Sequence, residues 1–137
     1  MRKLYILLAL AFVPLFFSCK RTVEKKKMDL VITAMTTGRW YVQEYISGTD
    51  NVTAEFDGYE FQFYSNGTVE GIKAAGTTAG TWAGDASAMT INSNFPSAGL
   101  PLKRLNGLWK ITDNDWVYVH ATLTSGGVTN TLKLHKK

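Results

Sequence analysis

Residues 58–75 read GYEFQFYSNGTVEGIKAA. Tyr59, Phe61 and Phe63 alternate with Glu60 and Gln62, which is the period-two pattern of a strand with one buried face. Ser65-Asn66-Gly67 follows at once. Asn-Gly tolerates the positive φ values that a type I′ turn demands, so the spacing predicts a hairpin with residues 68–74 as the returning strand.

Working outward, the same grammar repeats. Residues 38–47 (GRWYVQEYIS) are rich in aromatic and β-branched residues and run into the turn-like Gly48-Thr49-Asp50-Asn51. Residues 78–84 and 88–93 form a second hairpin around Asp85-Ala86-Ser87. Residues 94–101 are the longest irregular connection. Residues 102–112 and 116–124 pair across Asp113-Asn114-Asp115, and Ser125-Gly126-Gly127 turns the chain into residues 128–135. The expectation is eight short antiparallel strands with no helical segment among them. Such a set closes most easily into an up-and-down β-barrel, which leaves no exposed edge. Ahead of it, Leu30, Val31, Ala34 and Met35 recur at helical spacing, so residues 25–36 are expected to form a short N-terminal helix that Gly38 ends.

The start of the chain has a different character. Arg2 and Lys3 precede an apolar run over residues 4–17, interrupted by Pro14. That run is shorter than the roughly 20 residues a membrane-spanning helix needs, and it fits a secretory signal peptide. Leu15-Phe16-Phe17-Ser18-Cys19 resembles the lipobox of bacterial lipoproteins. The resemblance implies lipidation of Cys19, cleavage before it, and a membrane anchor without any transmembrane helix. Lys20 after the cysteine resembles the outer-membrane sorting pattern, and the absence of an acidic run there implies the periplasmic face. The expected organisation is therefore a signal peptide (1–18), a basic lipid-anchored tether (19–28) and a barrel domain (29–137).

Charge supports that division. Residues 1–27 hold seven basic residues against Glu24, whereas residues 28–137 hold eight basic against ten acidic. The pI near 9.2 thus reflects leader and tether. The globular part is slightly acidic, which argues against nucleic-acid binding. A single cysteine rules out an intrachain disulfide, so packing and backbone pairing must hold the fold.

Three tripeptides share one pattern: Gly38-Arg39-Trp40, Gly80-Thr81-Trp82 and Gly107-Leu108-Trp109. The glycine lets the chain bend at a barrel rim, and the tryptophan two residues on fills a large volume. On these motifs, on residues 61–68 (FQFYSNGT) and on the closing Leu132-Lys133-Leu134, the chain resembles small lipocalin-like domains of bacterial lipoproteins. Gly38-Arg39-Trp40 matches the family's first-strand motif. The Thr-Asp-Tyr motif of larger lipocalins is absent, Arg104 is the stand-in for the arginine that covers the closing tryptophan, and no long helix follows the barrel. Avidin-like barrels share the Gly-x-Trp habit.

The resemblance implies a small hydrophobic or amphipathic ligand, with Trp40, Tyr59, Phe61, Phe63, Trp82 and Trp109 as candidate cavity lining. The same residues would equally build a packed core. Tyr41, Tyr45, Tyr59 and Tyr64 are candidate hydrogen-bond donors at a barrel mouth. Trp116, Tyr118 and His120 alternate with Val117, Val119 and Ala121; if the former face outward they offer a docking surface for another envelope protein. Glu44 is a candidate inward acid without a partner. His120 and His135 show no metal-ligand spacing, and no nucleophile elbow or phosphate loop occurs. The expectation is a non-enzymatic protein without metal or cofactor.

Overall fold

The computed structural model describes residues 18–137; of the expected signal peptide (1–18), residues 1–17 lie outside them. One helix, α1 (Ser18–Thr36), precedes the strands β1 (Trp40–Ser47), β2 (Asp50–Asn51), β3 (Glu60–Phe63), β4 (Thr68–Lys73), β5 (Gly76–Asp85), β6 (Thr90–Asn94), β7 (Gly107–Asn114), β8 (Tyr118–Ser125) and β9 (Val128–Lys136). Antiparallel pairing runs from β3 through β9, β9 returns to β1, and β1 meets β3 at Trp40 opposite Phe61. Eight strands thus close into an antiparallel barrel, with the two-residue β2 appended to β1. Closure satisfies the strand edges that an open sheet would leave unpaired.

Three expectations change in detail. The helix extends seven residues further towards the N-terminus than residue 25, because residues 18–36 contain no glycine or proline and are rich in lysine, a good helix former. Two 3-10 turns, Thr53–Phe56 and Leu102–Leu105, lie among the strands. Leu102 and Leu105 therefore belong to a plug and not to the strand expected over residues 102–112. The β3–β4 turn is also not type I′: among the described residues Met89 is the non-glycine with positive φ, so Asn66 keeps an ordinary φ and Gly67 alone is left-handed at +87°. The Asn66 carboxamide oxygen instead accepts the Thr68 N–H at 3.0 Å, an Asx-type closure.

The hairpin order fixes two ends. The β3–β4, β5–β6 and β7–β8 turns share one end with the start of β1 and hence with α1. There Met35 is buried, and Val31 and Ile32 pack against the core. At the opposite end Phe56, Phe95, Leu102 and Leu105, all buried, close the barrel. Gly80 permits that closure: a Cβ there would lie 2.6 Å from the Asn94 carbonyl oxygen and 2.7 Å from the Phe95 ring.

Candidate functional site

The barrel axis holds a cavity of about 40 Å3 whose exposed lining is almost wholly apolar. Phe61, Phe63 and Trp109 line it, together with Phe95, Leu105 and, from α1, Met35. Small residues make the room. Ala121 on β8 is buried against the void, where a larger side chain would fill it. A water occupies roughly 10–15 Å3 on this measure but needs polar partners. Pockets for drug-sized ligands run to about 300–1,000 Å3. The space therefore suits a compact apolar group.

Trp40, Tyr59 and Trp82 sit elsewhere. Trp40 is fully buried, and its indole N–H donates to the Met35 carbonyl at 3.0 Å. Trp82 donates to the Tyr64 carbonyl at 2.9 Å, and Trp109 to the Leu105 carbonyl at 2.9 Å. Trp40 thus ties β1 to α1 and Trp109 ties β7 to the Leu102–Leu105 turn, whereas Trp82 ties β5 to the β3–β4 turn. Tyr59 is half-buried beneath the Lys73 ammonium, 4.7 Å from the ring centre. The cation over Trp40 is Lys136, at 5.1 Å. Arg104 does not fill that place; its guanidinium binds Glu55 with two bonds, 2.7 and 2.9 Å.

That ion pair belongs to a latch at the end opposite α1. Tyr45 is almost completely buried, donates its hydroxyl to the Arg104 carbonyl at 2.8 Å and stacks on Phe56. Burial pushes its phenol above the usual value, partly offset by Arg104. The hydrogen bond from Arg104 holds the Glu55 carboxyl below the usual range. Of the proposed mouth donors, Tyr45 is therefore committed inward, and Tyr64 is spent on Glu70 at 2.9 Å.

Glu44 turns outward to Lys133, 2.8 Å away, after a register shift between Val42 and Glu44. It is not an inward acid. On β8, Val119 and Ala121 are buried, so Tyr118 and His120 face outward with their rings 4.9 Å apart. His135 lies opposite both Tyr41 and Tyr118, which gives a cross-strand row of aromatics. Among the described residues no group of three or more His, Cys, Asp or Glu is placed to hold a metal. The cavity residues Met35, Phe95 and Leu105 were not singled out from sequence, since each comes from a helix, a loop or a 3-10 turn where no strand alternation marks the inner face.

No family model matches this sequence, and no curated protein does. A crystal structure of a DUF4847 family protein from Bacteroides vulgatus ATCC 8482 is similar in fold. The TM-score is 0.57 at 15% identity, over 78% of this chain and 97% of that one.

Proposed function

We propose that this chain is a non-enzymatic, lipocalin-like envelope lipoprotein, anchored through Cys19 to the periplasmic face of the outer membrane, that binds a small apolar ligand inside its barrel. The observation that carries the ligand reading is the apolar cavity between Met35 and Leu105. Its size favours a slim hydrocarbon group over a bulky ring system. Met35 is the adjustable wall: methionine has three rotatable bonds and repacks at low cost, and it sits on a helix and not on the barrel itself.

The test is a native mass spectrum of the protein recovered from an envelope-containing host, followed by solvent extraction. A reproducible apolar adduct supports the proposal. A bare mass, with a thermal midpoint indifferent to fatty acids and short alkanes, sinks it, because a ligand that binds only the folded state must raise that midpoint. A second reading, a module that docks another envelope protein, is favoured by the outward row of Tyr41, His135, Tyr118 and His120. Alanine at Tyr118 and His120 would then abolish capture of a partner while leaving the fold intact.

A further inference from the structure

Exposed apolar side chains gather at the hairpin tips of one end. Tyr64 in the β3–β4 turn is 40% exposed, Met89 in the β5–β6 turn 38%, and Trp116 and Val117 in the β7–β8 turn 51% and 46%. All three turns lie at the end where α1 enters β1. The first half of α1 adds charge: residues 20–27 carry five basic residues and one acidic, and Arg21, Lys25, Lys26 and Lys27 are exposed. Leu30, further along the same helix, is exposed as well. Carboxylates also stand here: Asp29 on α1 is exposed, Glu70 accepts the Tyr64 hydroxyl, and the others accept hydrogen bonds within their own turns. Asp85 accepts the Ala88 N–H, Asp115 the Trp116 N–H, and Asp113 the Tyr118 hydroxyl. The opposite end exposes Leu100, Leu108 and Val128, yet it carries Asp50 and Asp57 between β1 and β3 and no comparable basic run.

We propose that the α1 end of the barrel is a docking surface for an anionic phospholipid bilayer. The basic half of α1 lies against the headgroups, and the tips bearing Trp116, Val117, Tyr64 and Met89 seat in the interfacial layer. Lysine and arginine beside an anionic leaflet attract it, and tryptophan and tyrosine prefer the boundary between headgroups and acyl chains. This deepens the anchored reading by giving the barrel an orientation, and it is separable from it. Lipidation of Cys19 is read by labelling the intact lipoprotein with radioactive palmitate, whatever the unlipidated chain does.

The docking test uses residues 19–137 with Cys19→Ser, which keeps every core residue, since the core runs from Met35 to Leu134. The protein is mixed with vesicles of phosphatidylcholine alone or with added phosphatidylglycerol, some doped with brominated lipid. Trp40, Trp82 and Trp109 are 0%, 6% and 3% exposed, so quenching by bromine reports Trp116. The expected result is sedimentation with phosphatidylglycerol vesicles, weakened by salt, with quenched fluorescence. Reversing Lys25, Lys26 and Lys27 to glutamate should lower partitioning by at least about 100-fold, from roughly fivefold per basic residue removed. Equal partitioning to both vesicle types overturns the proposal. So does binding that leaves Trp116 unquenched, because the tips would then not be seated.

Discussion

Ala121→Val tests the cavity directly. Ala121 is 3% exposed and faces a void of about 40 Å3. At roughly 24 cal/mol per Å3 such a void costs the fold about 1 kcal/mol. Valine adds two methyl groups, each contributing about 0.8 kcal/mol on burial, and a β-branched residue is at home in a strand. If the added atoms enter the void, the net gain is about 1 kcal/mol. If the space is not beside Ala121, they meet packed neighbours and overpacking costs about 1–3 kcal/mol. The sign separates the cases. Urea unfolding should show a higher midpoint with an unchanged slope, and thermal unfolding a rise of roughly 4 °C. Loss of more than about 1 kcal/mol would refute the placement of the cavity. Any ligand adduct should disappear from the same variant, because the valine takes its room.

Tyr45→Phe removes the hydroxyl bound to the Arg104 carbonyl and should cost about 1–2 kcal/mol at neutral pH. Its phenol is raised above 10 in the folded state, so its contribution is intact below about pH 10 and is lost as pH rises through the folded value. The alkaline limb of a stability–pH profile should therefore be shallower in the variant than in the parent; superimposable limbs would contradict the latch. Gly80→Ala should lower stability by about 1–3 kcal/mol, since its Cβ collides with a backbone oxygen. Gly99→Ala, which meets nothing within 4 Å, should stay within about 0.5 kcal/mol on the same unfolding curve.

Strand alternation made the barrel legible, because a barrel wall has one inside and one outside and the side-chain period reports which is which. Phe61 and Phe63 were readable in this way, and Trp109 from its Gly-x-Trp tripeptide. The closures at the ends were not. Met35, Phe56, Phe95 and Leu105 lie on a helix, two 3-10 turns and a loop, where apolar residues carry no period that tells a plug from a surface contact. Glu44 misled for a related reason: a shift in register between Val42 and Glu44 reverses the facing that strict alternation assigns, and no residue type announces it. The Asn-Gly dipeptide located its turn correctly but not its backbone class, since asparagine can close a turn through its side chain as well as through a positive φ.

The two ends of the barrel are closed by different means, and this bears on how a ligand could enter. Opposite α1, closure is redundant: Tyr45 binds the Arg104 carbonyl, Arg104 grips Glu55 with two bonds, and Leu105 accepts both the Ser93 hydroxyl and the Trp109 indole. At the other end α1 reaches the cavity through Met35; at that junction Trp40 donates its indole N–H to the Met35 carbonyl and Gln62 makes a long 3.5 Å contact to the Thr36 carbonyl. Opening the first end breaks several polar contacts together, whereas shifting α1 at its junction with the barrel parts mainly the apolar packing of Met35, Val31 and Ile32. Entry is therefore expected beneath the helix. On the docking proposal that end rests on the bilayer, so an apolar ligand would pass between lipid and barrel without crossing water.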